Sequence, residues 1–134
     1  KSLLYKKITE IQKKGIDFRM EVMYPVEETG MKPLDLSRAL GILLDNAIEE
    51  TEKTGGKISL VVSEQQDTVH IIVENTIERE VDLARIYEEG YSTKGSGRGT
   101  GLPGLRRILE KYPGASLMTE CENGTFIQRL AIMR

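Results

Sequence analysis

The chain has 134 residues, of which 39% are hydrophobic and 30% charged, and its formal net charge is −2. That length suits one domain with a core of its own, and the near-balanced charge argues against a general electrostatic affinity for nucleic acid. The single cysteine, Cys121, excludes an internal disulfide and a cysteine-rich metal site. No apolar run approaches the roughly 20 residues of a membrane-spanning helix, so we expect this stretch to be soluble.

The first half of the chain carries helix and strand signals in turn. Apolar residues at helical spacing predict a helix over residues 2–14, and alternation over 16–22 predicts a half-buried strand. A second apolar stripe predicts a long helix from Asp35, as its cap, to about Thr51. Because the sequence opens inside a basic helical pattern, we expect it to be a piece of a longer protein.

The second half predicts two pairs of strands separated by helices. Runs 57–63 and 68–75 suggest an antiparallel hairpin, residues 82–90 a short helix, and 102–112 a helix with Pro103 in its first turn. The last twenty residues predict two strands around the turn signal Asn123-Gly124. The fold class expected is therefore α/β, a two-layer sandwich with a mixed, mostly antiparallel sheet and helices on one face.

A glycine-rich stretch, "STKGSGRGTGLPGL", occupies residues 92–105 just before the third long helix. Backbone N–H groups approach a phosphate closely where no Cβ intervenes, and a helix start adds free N–H groups and a positive dipole end. Lys94 and Arg98 add full charges. The stretch predicts a cradle for a polyphosphate, with a mobile surface loop as the alternative.

A second candidate cluster, "LLDNAIEE", lies near the end of the long helix at residues 43–50. Asn46 shares a helix face with Ile42, Glu49 and Glu50, opposite the apolar stripe. Asparagine has poor propensity inside a helix, and its amide oxygen is a hard ligand of the kind that Mg²⁺ prefers. The alternative is an ordinary exposed polar face.

The order of these segments resembles the GHKL superfamily, which holds the ATP sites of gyrase, Hsp90, histidine kinases and MutL. "DNAIEE" is similar to the N box, "GSGRGTGL" to the G2 box, and "IYEEGYSTKG" to the segment just before it. Three longer stretches, "LSRALGILLDNAIEE", "EEGYSTKGSGRGTGL" and "ENGTFIQRLAI", most resemble peptide-pheromone sensor kinases of Gram-positive bacteria, the quorum-sensing receptors of the accessory-gene-regulator and competence type. The likeness runs from about residue 15 to the end.

The resemblance implies a Bergerat-type ATP-binding fold with a Gly-rich lid, serving as the catalytic domain of a sensor histidine kinase. Asn46 would hold Mg²⁺, and Lys94 and Arg98 would act with it in catalysis by compensating the charge of the triphosphate. The adenine would enter an apolar slot between the Asn46 helix, the sheet and the lid. The ATP-binding residues implied are Asn46, Glu50, Asn75, Lys94, Gly95, Gly97, Arg98, Gly99, Thr100, Gly101 and Leu102.

The sequence departs from the usual kinase pattern in three places. Ile42 stands where related sites often carry Glu or Asn, four residues before Asn46, so we expect slow ATP hydrolysis. Glu49 and Glu50 replace the usual Lys and aromatic residue. The G1 box is replaced by "VENTIERE", in which Asn75 holds roughly the place of the adenine-binding Asp. Its oxygen would accept from the adenine 6-amino group and its NH₂ would donate to N1.

The phosphoacceptor histidine is expected outside this sequence. His70, the only histidine, falls in a strand signal and is expected to be an ordinary sheet position. Residues 1–14 would then end a preceding dimerisation helix or linker, and residues 15–134 would form the catalytic domain. The partners implied are the protein's own dimerisation domain and a cognate response regulator, in a membrane-anchored homodimer whose catalytic part is cytoplasmic.

Two other functions are compatible with the sequence. One is a GHKL protein with a different activity, either an anti-sigma serine kinase or an ATPase; Ile42 counts against the ATPase. The other is a non-catalytic docking module with a degenerate site, which the lost G1 box favours and the intact "GSGRGTGL" opposes.

Overall fold

A computed structural model describes residues 2–23, 29–54, 56–76, 101–122 and 124–133. The helices are α1 (Ser2–Lys13), α2 (Pro33–Thr54) and α3 (Gly101–Leu109). The strands are β1 (Asp17–Val22), β2 (Lys57–Gln65), β3 (Thr68–Thr76), β4 (Ala115–Glu122) and β5 (Thr125–Met133). The predicted helix at 82–90 lies outside the described residues. No helix among the described ranges is both long and apolar enough to cross a bilayer.

The five strands form one mixed sheet in the order β1-β2-β3-β5-β4. β1 and β2 pair in parallel, with α2 in the connection between them, and the other three pairs are antiparallel. The β2–β3 turn places Gln66 and Asp67 at φ of 52° and 64°, the left-handed pair of a two-residue type I′ turn. Both predicted hairpins and the mostly antiparallel sheet are confirmed.

The core lies between α2 and the sheet face that the three helices cover. Alternate residues of β2, β3 and β5 are buried on that face, while the residues between them are half-buried or exposed. The predicted stripe of α2 faces them. Burying each large aliphatic side chain contributes about 1.5–3 kcal/mol, so this interface dominates the stability of the domain. Its fully buried members include Leu43, Leu44, Ile58, Leu60, Ile71, Leu105 and Leu130.

Helix α1 is packed against α2 and is part of the folded unit. Ile11 is completely buried, and ion pairs join Lys7 to Asp45 at 2.5 Å and Lys14 to Glu52 at 2.6 Å. These pairs are partly exposed and each contributes less than about 1 kcal/mol, so the apolar contact of Ile11 is the main attachment.

Helix α2 begins two residues before the position predicted from the sequence. Pro33 is its first residue, where a missing N–H and a fixed φ suit the helix start, and Leu36 N donates to Lys32 O at 2.9 Å. Asp35 therefore lies within the first turn and does not cap the helix. Aspartate is favoured both at the cap and in the first turn of a helix, so the sequence alone does not distinguish the two positions.

The carboxylate of Asp35 instead joins the start of α2 to the end of α3. It accepts hydrogen bonds from the Tyr112 hydroxyl and from Lys111 Nζ, the latter at 3.1 Å. The Tyr112 oxygen in turn accepts from Lys32 N at 3.2 Å. We call Asp35, Lys111 and Tyr112 the α2–α3 clamp. Asp35 is only 4% exposed, so its charge is satisfied almost entirely by these partners.

Strand β1 is less covered than its alternation predicts. Phe18 is half-buried, but Met20 and Val22 are 45% and 48% exposed although they share its face. β1 is an edge strand with β2 as its one neighbour, so its apolar row meets helix only at one end. The alternation correctly predicted the strand and could not predict its place at the edge.

The α2–α3 clamp makes stability depend on pH. The hydrogen bond from Tyr112, and after it that from Lys111, holds the pKa of Asp35 below the usual range of an aspartate. A carboxyl with a depressed pKa stabilises the fold above its unfolded pKa, and this contribution is lost as pH falls through the folded value. We expect Tyr112→Phe to unfold at lower urea than wild type at pH 7, with the difference shrinking below about pH 4. A difference that is constant from pH 7 to pH 3 would contradict this assignment.

Candidate functional site

Asn46 lies on the face of α2 that the sequence predicted. Ile42, Asn46, Glu49 and Glu50 are all half-buried, and the apolar stripe on the other side of the helix is buried. Asp45, the preceding residue, turns away toward α1 and is held by Lys7 at 2.5 Å. Asp45 therefore points away from the face that Asn46 shares with Glu49 and Glu50.

The Asn46 side chain is uncommitted at its nitrogen. Nδ2 is buried and has no hydrogen-bond partner within the ranges that the structure describes. A buried donor left without a partner is unfavourable by about 1–3 kcal/mol, so its retention inside a helix indicates a use other than stability. A carboxamide not tied down by neighbours can present its oxygen to a bound group. Such an oxygen would suit one position on Mg²⁺, a hard cation that would take its other ligands from water and a bound anion.

A metal site made by protein side chains alone is not found in the described residues. No group of three or more His, Cys, Asp or Glu side chains is gathered there. A lone amide oxygen is sufficient only if the ligand brings its own oxygens, as a triphosphate does.

Asn75 lies near the end of β3 on the sheet face that the helices cover. It is 2% exposed, and its Nδ2 donates to the carbonyl of Thr76 at 3.1 Å. This bond fixes the orientation of the amide and uses one of its hydrogens, so Oδ1 is the side of the group that is available as an acceptor. The second hydrogen of Nδ2 is not used by this bond, so both roles predicted for Asn75 stay predictions.

Close backbone approach shapes the sheet end beside Asn75. Gly56 has φ of 143°, and a Cβ placed on it would lie 1.9 Å from Thr76 Oγ1. Lys57 N donates to the same hydroxyl at 3.3 Å. Glycine at position 56 therefore lets the start of β2 close against the last residue of β3, which supports the strand that carries Asn75.

Helix α3 starts within the glycine-rich stretch, one residue before the predicted position. Gly101 is its first residue, and Leu102 and Leu105 are 7% and 0% exposed where α3 packs on α2. The helix N-terminus is thereby held against the same helix that carries Asn46. Of the site residues named from the sequence, the structure places Asn46, Glu50, Asn75, Gly101 and Leu102. The others, Lys94, Gly95, Gly97, Arg98, Gly99 and Thr100, lie outside the described residues.

His70 occupies an ordinary strand position. It is half-buried on the sheet face opposite the helices, and its paired neighbours are Ser63 and Ala131. It faces away from Asn46 and Asn75. Nothing in its surroundings distinguishes it as a phosphoacceptor.

The sequence did not predict two features of the structure, the α2–α3 clamp and the buried amide of Gln128. The α2–α3 clamp joins residues 77 positions apart, and no local pattern shows such a contact. Gln128 is 2% exposed in the inward row of β5, and a signal for it did exist. The alternation Phe126, Gln128, Leu130 puts an amide where an apolar side chain is expected.

A family model matches most of this chain, and two kinases share part of its sequence. The model of the GHKL domain matches residues 31–133. Sensor histidine kinase DcuS of Escherichia coli K12 is 34% identical over 98 residues, covering 69% of this chain and 18% of that protein. Serine/threonine-protein kinase RsbT of Bacillus subtilis is 38% identical over 53 residues, covering 40% of this chain and 37% of that protein. The chain spans less than a fifth of the length of DcuS.

Solved structures show the same fold. The nucleotide-free catalytic domain of histidine kinase ThkA superposes with a TM-score of 0.80 at 26% identity, over 98% of this chain and 88% of that one. ThkA in complex with the response regulator TrrA gives a TM-score of 0.76 at 23% identity, over 98% and 39%. The chain belongs to the GHKL family, and its fold is that of the histidine kinase catalytic domains.

Proposed function

We propose that this chain is the catalytic domain of a membrane-anchored sensor histidine kinase, binding Mg²⁺-ATP and transferring its γ-phosphate to a histidine outside this sequence. The observation that carries the proposal is the half-buried Asn46 carboxamide, uncommitted at Nδ2, on the helix that also supports the start of α3. The GHKL match and the identity to DcuS support the same activity.

Different residues of the chain bind the base, the metal and the phosphates of the nucleotide. Asn75 orients the base through its fixed Oδ1, and Asn46 supplies one oxygen ligand to Mg²⁺. The bound Mg²⁺ supplies charge compensation for the triphosphate. Gly95, Gly97, Gly99 and Gly101 offer backbone N–H groups to the phosphates, while Lys94 and Arg98 add positive charge. Positioning and charge dispersal are what phosphoryl transfer chiefly requires from a protein.

Ile42 makes water a poor substrate. It is half-buried one turn before Asn46 and has no group that accepts a proton. Activation of water needs a base, whereas a histidine nucleophile brings its own lone pair. The domain is therefore suited to transfer and not to hydrolysis.

The proposal extends to the setting of the domain in a longer protein. The acceptor belongs to a dimerisation domain joined through residues 1–14, and the phosphoryl group passes on to a response regulator, the class of protein with which ThkA forms a complex. The catalytic domain then faces the cytoplasm beneath a membrane-bound receptor, and the motifs favour a peptide pheromone as the signal.

The test is a calorimetric titration of the chain with ATP, with and without Mg²⁺, followed by transfer to a supplied histidine-bearing dimerisation domain. We expect saturable, Mg²⁺-enhanced binding in the micromolar to submillimolar range and an acid-labile phosphohistidine product. No binding up to about 1 mM nucleotide would leave a docking module as the better description.

A serine kinase is the second candidate, because RsbT is 38% identical over 53 residues. The same transfer assay separates the two activities. Phosphoserine survives acid treatment and phosphohistidine does not, so an acid-stable product on a protein substrate would favour the RsbT-like activity.

A further inference from the structure

Gln128 is a buried polar residue that the structure leaves unsatisfied. It is 2% exposed on β5, between Phe126 and Leu130 in the inward row, which are themselves 4% and 0% exposed. Its Nε2 has no hydrogen-bond partner among the residues described. A buried donor without a partner is destabilising by about 1–3 kcal/mol, and a leucine here would avoid that loss. The Gln128 amide therefore has a buried donor available for a bound group.

The β3–β5 register brings Gln128 beside Asn75. Asn75 pairs with Phe126, and Val73 pairs with Gln128, so the two amides are diagonal neighbours on one face of the sheet. Such neighbours are about 7–8 Å apart at Cα, within reach of a long side chain. Both are 2% exposed. The inner face near the end of β3 therefore carries two buried carboxamides side by side.

The two amides differ in what they have left to offer. Asn75 directs Nδ2 to the Thr76 carbonyl and keeps Oδ1 as an acceptor. Gln128 keeps Nε2 as a donor. An acceptor next to a donor matches the edge of adenine, where the 6-amino group donates and N1 accepts. Guanine presents the reverse pattern, with O6 accepting and N1–H donating.

We propose that Gln128 is a specificity-determining residue for the base, with Nε2 donating to adenine N1 while Asn75 Oδ1 accepts from the 6-amino group. This inference rests on the proposed function, because it assigns a partner to the nucleotide site. It assigns the N1 contact to Gln128, while one hydrogen of Asn75 Nδ2 is already engaged by the Thr76 carbonyl.

The experiment compares ATP with 1-deaza-ATP, in which a C–H group replaces N1, in the presence of Mg²⁺. Wild type is expected to bind ATP about tenfold more tightly than 1-deaza-ATP, which corresponds to about 1.4 kcal/mol. Gln128→Leu should lose that preference by weakening ATP alone. Its unfolding temperature without nucleotide should equal or exceed that of wild type, because the unpartnered donor is gone.

Matched variants keep the outcome interpretable. Gln128→Met, of similar length and greater flexibility, provides a second test of the same contact if the leucine packs poorly. Leu130→Met, on the same strand and face, should leave the preference for ATP unchanged.

Three results would overturn the inference. One is a preference for ATP retained in both Gln128 variants, as expected if an ordered water is the partner of Nε2. Another is an equal loss of affinity for both nucleotides, as expected of a packing defect. The third is wild type that binds ATP and 1-deaza-ATP saturably and with equal affinity. If wild type bound neither nucleotide saturably, the proposed function would be overturned as well.

Discussion

Asn46→Ala is expected to abolish Mg²⁺-dependent nucleotide binding while leaving the fold at least as stable as wild type. The substitution removes the amide oxygen that we propose as a ligand of the metal, and we expect affinity to fall on the order of 100-fold or more, equivalent to at least about 2.7 kcal/mol. Alanine is favoured over asparagine inside a helix by up to about 0.7 kcal/mol. It also removes the buried Nδ2 that lacks a partner among the described residues.

The measurement is a pair of titrations with ATP, with and without Mg²⁺, alongside urea unfolding of the free chain. Asp45→Ala is the matched control, since Asp45 is adjacent on α2 but is held by Lys7 on α1. It should lose about 0.5 kcal/mol of stability and keep its nucleotide affinity. If Mg²⁺ still enhanced nucleotide binding by Asn46→Ala, the proposal that Asn46 is a ligand of the metal would be wrong.

Leu105→Ala is expected to destabilise the domain by about 2–5 kcal/mol, a large part of the stability of a chain this size. Leu105 is completely buried where α3 packs against the core, and the helix has only nine residues with which to hold its place. Because α3 carries the end of the glycine-rich stretch, nucleotide and helix docking should be linked. Saturating Mg²⁺-ATP, at about 100 times Kd, should restore roughly 2.7 kcal/mol.

Urea unfolding followed by circular dichroism measures both effects. Ile108→Ala is the control on the same helix, because Ile108 is half-buried and should lose less than half as much stability. If Leu105→Ala unfolds at the wild-type midpoint, α3 is not held by this contact.

Most of the fold could be predicted because its signals are local. The apolar stripe of α2, the alternation of β2 and β3 and the turn residues around Gly124 each act over a few neighbouring positions. The candidate site was predicted partly in the same way. Asn46 contradicts the propensity of its helix, and such a conflict between local preference and position is typical of a functional residue.

What could not be predicted depends on contacts between distant parts of the chain. Aspartate is a suitable residue type for a helix cap, so the sequence favoured that role for Asp35. The structure shows that its carboxylate instead accepts a hydrogen bond from the Tyr112 hydroxyl. The exposure of Met20 depends on the strand order, which alternation does not contain. Gln128 interrupts the apolar alternation of β5, which is visible in the sequence. Its position beside Asn75 is known only from the β3–β5 register.

The segment between residues 76 and 101 joins two parts of the domain that are already held together without it. β3 and β5 pair along nine positions, and the α2–α3 clamp adds a second attachment across the same division. Each doubling of the length of a flexible connection between fixed ends raises the entropic cost of closing it by only about 0.6 kcal/mol. Changes in the length of this connection that spare residues 94–101 should therefore reduce the stability of the scaffold little, and a chain split between residues 77 and 93 should still assemble from its two parts.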